Sequence, residues 1–298
     1  MTDWTVTSEL LDAGLVVAVE VVDVRLGDTE DDGSRVVRRG TVTVRVVEVV
    51  KGRSLTPVGE TADVDIEVRT SSGTRVPGGW FGIWSAVPLE PGVVLVAFCD
   101  AGSADLAVAL TDEHCTQLVP DGPRLDDVHL AQAVQRRSPT VDRLLDEAWR
   151  RRGEAGPVFA RYVWVAVREA VVADAARFGR LMDVATDGGT RADAQEQYLV
   201  CAYEDATFSS AFPAERRAAL ARAMAAAALD PRLGELREHL LSTYLPNLVG
   251  APAPEPLTPA AVFADDEHLR DVLAAEVADP ADPATSSPAL SAWLREGS

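Results

Sequence analysis

One valine-rich stretch, residues 40–52, constrains the fold of this chain more than any other segment. It reads Gly-Thr-Val-Thr-Val-Arg-Val-Val-Glu-Val-Val-Lys-Gly, so it begins and ends on glycine. β-branched residues are enriched in strands because their side chains pack well on a pleated surface, and glycines often bound such a run. The stretch therefore predicts a long strand of a barrel or sandwich, with the flanking segments as its neighbours.

Four further segments have the character of strands. Residues 10–25 alternate loosely and predict a strand with one buried face, paired antiparallel with the central strand through an acidic loop. Residues 61–70 alternate strictly between apolar and charged side chains, which is typical of a strand with one face in the core. Residues 93–99 predict a fully buried strand, and residues 106–110 a shorter fifth strand.

From about Leu125 the apolar spacing becomes helical. The helices recur at roughly twenty residues with short turns, a spacing that fits a HEAT-type array and a plain bundle nearly equally. Proline-rich linkers are expected near 251–257 and 279–288, and an apolar-faced tail at 289–295 is expected to dock on its own domain. The predicted helices cover residues 125–137, 141–152, 158–187 (one helix or a pair), 192–208, 213–229, 231–245 and 259–277.

These patterns together predict an α+β protein of two domains. Residues 8–120 are expected to form a five-stranded OB-like β-barrel, because five strands precede all of the helices. Residues 124–298 are expected to form an all-α domain, either HEAT-like or a bundle.

The details of the strand region resemble one known family. Val-Val-Ala-Val-Glu-Val-Val at 16–22, the strand ending in Lys51-Gly52, Pro-Gly-Val-Val-Leu-Val-Ala-Phe at 91–98 and the later Cys115 resemble the netrin-like, or TIMP-like, OB barrel. The resemblance covers about residues 10–118 and implies a barrel whose loops bind a protein or a ligand. Inhibitors of metalloproteinases in that family chelate zinc with an N-terminal cysteine. The first cysteine here is Cys99, so that activity is not implied.

Composition restricts the class of partner. The formal net charge is −19 and the isoelectric point is near 4.6, with no dense basic run. Affinity for nucleic acids and for anionic membranes depends on lysine and arginine, so both are disfavoured as partners. A protein partner with a basic patch is favoured instead. Lys51 is the only lysine, a bias typical of GC-rich bacterial genomes.

The compartment is predicted from the N-terminus and the cysteines. The chain starts Met-Thr-Asp-Trp-Thr-Val, without the basic and apolar regions of a signal peptide, and its most apolar run is too charged to span a membrane. The three cysteines are an odd number, which favours reduced thiols in the cytoplasm. Whether Cys99 and Cys115 pair is left open.

Motifs for catalysis and metal binding are not found in the sequence. The acidic loop at 28–33 begins like a calcium loop, but Arg39 stands where a bidentate glutamate is needed. Glu113-His114-Cys115 lacks the short paired spacing of a zinc site. The four histidines carry no family signature, and there is no phosphate-binding or dinucleotide-binding glycine motif. We therefore expect no catalytic residue, no metal and no cofactor.

The preferred binding site is the long glycine-rich loop at 71–92. It contains the cluster Trp80, Phe81, Ile83 and Trp84, and aromatic side chains on such loops often anchor interfaces. The alternative is that both tryptophans pack under the loop as a small core cluster. Both interpretations stay open at this point.

The sequence thus favours a non-enzymatic adaptor or scaffold that contacts a protein through the loop at 71–92 and through the helical domain. One alternative is an enzyme with an unrecognised site between the domains. A less favoured alternative is an OB protein that binds single-stranded nucleic acid, which would need a basic groove beside the tryptophans. The oligomeric state is not predicted.

Overall fold

The computed structural model describes residues 13–31, 35–71, 83–100, 104–120, 124–137, 139–208, 212–250, 256–278 and 287–295. It is of the mixed α+β class, with strands first and helices after them. The chain divides into two compact units, Met1–His129 and Leu130–Ser298. The division falls within a helix, whereas the sequence pattern placed it between residues 120 and 124.

The first unit is built on one antiparallel sheet in the order β3-β2-β1-β4-β5. The predicted strands at 61–70 and 93–99 are found with nearly the expected bounds. The stretch at 40–52 belongs to a longer strand. The five strands are β1 Leu15–Asp31, β2 Arg35–Lys51, β3 Thr61–Ser71, β4 Val94–Cys99 and β5 Cys115–Pro120.

The sheet is open, so the predicted barrel needs correction. β3 and β5 are its two edges, and the described residues show no ladder between them. A short 3-10 helix, Ile83–Ala86, contacts both edge strands instead. Its side chains Ile83 and Trp84 join the hydrophobic core that all five strands share. The gap between the edges is therefore filled by side chains of a connecting segment.

The predicted fifth strand at 106–110 is also wrong. Residues Leu106–Ala109 form a single helical turn, α1, and the fifth strand follows it at Cys115–Pro120. Asp105 caps this turn by accepting a hydrogen bond from the Ala107 amide at 3.1 Å. The buried side chains Leu106, Ala109 and Leu110 have helical spacing, a signal that the short apolar run obscured.

The first strand runs over Leu15–Asp31 where residues 10–25 were predicted, and it is more buried than the sequence pattern indicated. Its pairing with β2 contains four register shifts, which bend the two long strands together. Residues 15–19 are buried on both faces, although one exposed face was expected. Gly40 allows the close approach of the pair, because a Cβ there would lie 2.1 Å from the Arg25 carbonyl oxygen.

The helical region contains more and shorter helices than predicted. The apolar segment 158–187 is two helices, because Asp174 interrupts it and caps the second by accepting from the Ala176 and Arg177 amides. The helices are α2 Arg124–Gln135, α3 Val141–Arg150, α4 Pro157–Ala173, α5 Ala175–Thr186, α6 Ala192–Phe208, α7 Ala214–Ala228, α8 Gly234–His239, α9 Leu245–Gly250, α10 Pro259–Val262, α11 Glu267–Ala278 and α12 Pro288–Arg295.

Packing in the second unit joins alternate helices, with α4 against α6 and α5 against α7. The predicted docking of the C-terminal tail is confirmed. Trp293 of α12 is buried, and its indole nitrogen donates to the Leu257 carbonyl oxygen at 2.7 Å. Most residues of the two predicted linkers lie outside the described part of the chain. Among the described helices, none combines the length and the apolar character that crossing a bilayer requires.

Candidate functional site

An open groove of about 820 Å³ lies in the first unit, beside the edge strand β3. Strands β2 and β3 form one wall, and α1 with the turn after it forms the other. The volume is in the range of ligand-binding clefts. It is the candidate site because it combines an apolar floor with a charged rim, as the following contacts show.

Trp84 provides the floor of the groove and is itself a core residue. Its side chain is 1% exposed, and its indole nitrogen donates to the carbonyl oxygen of Leu110 at 2.9 Å. The neighbouring Ile83 is also buried, and its backbone amide donates to a carboxylate oxygen of Asp112 at 3.1 Å. These contacts hold the 3-10 helix against α1 and make the floor rigid.

The four aromatic and apolar residues of the predicted loop site are thus not equivalent. The structure places Ile83 and Trp84 in the core, which is the alternative that the sequence left open for the second tryptophan. Neither side chain is available as a free anchor, although Trp84 still lines the groove. Trp80 and Phe81 lie outside the described residues.

A network of ion pairs stiffens the β-sheet side of the rim. Glu67 accepts from Arg39 at 2.8 Å and also from Arg69, and Arg39 reaches Glu30 at 2.8 Å. The hydrogen bond from Arg69 is the main reason that the pKa of Glu67 lies below its ordinary value. Glu67 therefore stays ionised at neutral pH, and its charge is shared by two guanidinium groups.

The rim as a whole is acidic. Four carboxylates line it against two guanidinium groups, and Glu113 makes no hydrogen bond or ion pair with the described residues. On the α1 side, Val108 is 42% exposed beside the buried Leu106 and Ala109. Val108, Asp112 and Glu113 were not predicted as partner-binding residues. The run at 106–110 was interpreted as a strand, and Glu113 was considered only as a metal ligand.

In the described part of the chain, the histidines and cysteines do not gather into a group large enough to bind a metal ion. His114 lies 3.2 Å from Asp100, and the ring of His129 lies 3.2 Å from Glu48. Among the residues that the structure describes, no group of three His, Cys, Asp or Glu side chains is placed to hold a metal ion. Cys99 and Cys115 stand opposite each other in the β4–β5 register, and no disulfide joins them.

A group of half-buried acidic residues lies on α6 of the second unit. Burial raises the pKa of Glu204 and of Asp205, and Asp205 accepts from the Trp164 indole at 3.0 Å. Burial also raises the pKa of the nearby Cys201 thiol to about 12, so this thiol is a poor nucleophile at neutral pH. None of these three side chains lines the groove.

Comparison with known proteins adds no assignment to this geometry: no family model matches the chain, and no curated protein or solved structure matches it either.

Proposed function

We propose that this protein is a non-enzymatic cytoplasmic adaptor or scaffold that binds a protein partner. The barrel-like unit makes the contact through the groove and the adjoining loop at 71–92, and the helical unit offers a second surface. The observation that carries the proposal is the groove itself, because an exposed valine and an apolar floor lie within an acidic rim.

The groove suits a basic segment with one apolar side chain. An apolar side chain on the partner would remove the exposed Val108 from water, and burial of apolar surface is the main source of affinity in such contacts. Asp112 and Glu113 would then face lysine or arginine on the partner. Complementary charge of this kind raises the association rate and makes it sensitive to salt.

The netrin-like OB resemblance is part of the same proposal. An OB fold is a five-stranded and partly open barrel. Five antiparallel strands around one core, with a gap between β3 and β5, support that relationship.

The two alternatives have less support. The acidic rim would repel a phosphate backbone, which counts against single-stranded nucleic acid. For an enzyme, the raised pKa values of Glu204 and Asp205 are of interest, but these groups are on α6 and do not line the groove. No specific observation favours either alternative over the adaptor.

The test uses two valines of similar exposure. Val108 in the groove is 42% exposed, and Val272 on α11 is 38% exposed. A photoreactive amino acid at position 108 captures and identifies the partner. The purified partner is then titrated against the wild type, Val108→Arg and the matched control Val272→Arg. We expect Val108→Arg to weaken binding at least about tenfold, equal to 1.4 kcal/mol, while Val272→Arg binds normally.

The loop is tested separately with Trp80→Ala, because Trp84→Ala would disturb the core. The affinity of the wild type should fall as salt rises. Equal affinity of both arginine variants would contradict the groove as the binding site, and failure of position 108 to cross-link any protein would argue against the adaptor.

A further inference from the structure

The helical unit has a second concavity that differs from the groove in its charge. It has a volume of about 360 Å³ and lies where the end of α2 faces α3. Three arginines line it: Arg137, Arg143 and Arg150. We call it the arginine cavity.

Two of these arginines have no counter-ion among the residues that the structure describes. Most described arginines lie within 4 Å of a carboxylate, but the side chains of Arg137 and Arg143 make no ion pair or hydrogen bond with a described residue. Both guanidinium groups are therefore available, and they border the same cavity. An unpaired guanidinium favours planar, bidentate recognition of an oxyanion.

The carboxylates in the cavity wall are already engaged. Glu147 accepts from Arg150 and, at 3.0 Å, from Arg151, and the hydrogen bond from Arg150 is the main reason its pKa is lowered. Asp146 accepts from Arg180 at 2.7 Å. These pairs neutralise the two acids, so the wall keeps an excess of positive charge in a chain whose formal net charge is −19.

The cavity also has an apolar part. Pro139 is partly exposed in the cavity wall, and Val134 of α2, itself buried, closes the wall at the same cavity. A free inorganic ion would leave this surface in water. A ligand with an organic group next to its charge would cover it and gain affinity from doing so.

We propose that the arginine cavity binds a small organic molecule that carries a phosphate group. The phosphate lies between Arg137 and Arg143, and the organic part covers Pro139. A phosphate dianion matches the two unpaired cations in charge and offers oxygens to both guanidinium forks. The inference does not depend on the adaptor proposal, because it concerns other residues in the other unit.

The test is calorimetric titration of the full chain with phenyl phosphate, benzoate and phenol. The variants are Arg137→Gln, Arg143→Gln and the control Arg270→Gln. Arg270 lies on α11, outside the cavity, and its removal changes the net charge equally. We expect phenyl phosphate to bind to the wild type and the control, and each cavity variant to bind about tenfold or more weakly.

The other probes decide the class of ligand. Phenol should not bind, and benzoate should bind at least about tenfold more weakly than phenyl phosphate. Equal affinity for benzoate would overturn the assignment of a phosphate. No binding of phenyl phosphate at millimolar concentration, or equal binding by all three variants, would overturn the site itself. Both cavity arginines are surface residues, and an unchanged melting temperature without ligand confirms that their variants fold.

Discussion

The groove of the first unit and the arginine cavity of the second unit differ in the sign of their charge and in how much of that charge is paired. The groove places its acidic rim over core residues, and its sheet-side charges are paired within the rim. The cavity leaves two guanidinium groups unpaired, beside carboxylates that other arginines have neutralised. The difference shows that the net charge of a chain does not determine the local charge of its concave surfaces.

The two regions also differ in what can be removed without harming the fold. The floor of the groove is Trp84, which belongs to the core of the whole first unit. The charged part of the arginine cavity consists of surface side chains whose neighbours are satisfied without them. Three substitution experiments test this difference, and the change expected in the free energy of unfolding decreases from the first to the third.

The largest effect is expected for Trp84→Ala. The substitution removes a fully buried indole and leaves the Leu110 carbonyl oxygen without its donor. We expect the free energy of unfolding to fall by about 3–5 kcal/mol, measured by urea titration. Val108→Arg, at the entrance of the same groove, should change it by less than about 0.5 kcal/mol. A similar loss of stability in both variants would show that Val108 contributes to the fold as much as Trp84 does.

Arg217 offers a buried counterpart to the cavity arginines. It is 5% exposed and donates to the Leu248 carbonyl oxygen at 3.2 Å, while its Nε has no hydrogen-bond partner and burial lowers its pKa. We expect Arg217→Met to raise the free energy of unfolding by about 1–2 kcal/mol, because burying a charge without a counter-ion is unfavourable.

The matched substitution, Arg143→Gln, removes an unpaired charge from the surface and should change stability by less than about 0.5 kcal/mol. Destabilisation by Arg217→Met would mean that the hydrogen bond to the end of α9 outweighs the burial of the charge.

The smallest effects concern two glutamates of the helical unit with the same ordinary pKa of 4.5. Arg150 and Arg151 lower the pKa of Glu147, so its stabilising contribution is present above about pH 4.5 and is lost as the pH falls through the folded-state value. Burial raises the pKa of Glu204, so its contribution is present below pH 4.5 and is lost as the pH rises through the folded-state value.

The two amide variants should therefore show opposite pH dependence. At pH 7, Glu147→Gln should lower the free energy of unfolding by about 0.5–1 kcal/mol, and the loss should shrink toward pH 3. Glu204→Gln should raise it by less than about 1 kcal/mol at pH 7 and leave it unchanged near pH 3. Urea titrations from pH 7 to pH 3 measure both. The same slope for both variants would contradict the assigned causes.

Much of the strand region was predictable because period-2 alternation depends only on local sequence. β3 alternates Val64 and Ile66 with exposed acids, and it was found where the pattern placed it. The turn at Leu106–Ala109 was not recognised, since a run of five apolar residues fits a buried strand and a helical turn equally well. The capping hydrogen bond of Asp105 decided between them.

The candidate site was predictable only in part. Of the aromatic cluster that the sequence singled out, Trp84 lines the groove. The sequence left its burial open, since burial depends on the 3-10 helix filling the gap between β3 and β5, which are distant in the chain. Val108 was missed because its helical turn was interpreted as a strand, and Glu113 was considered only as a metal ligand.

The sequence by itself determined the order of strands and helices, the excess of acidic charge and the breaks between most helices. These properties follow from composition, periodicity and residues such as proline and glycine, which act on the backbone nearby. Only the tertiary structure decided that the sheet stays open, that Trp84 is core, and that Arg137 and Arg143 share one cavity. Those outcomes depend on contacts between side chains that are far apart in the chain, and a local sequence pattern does not predict such contacts.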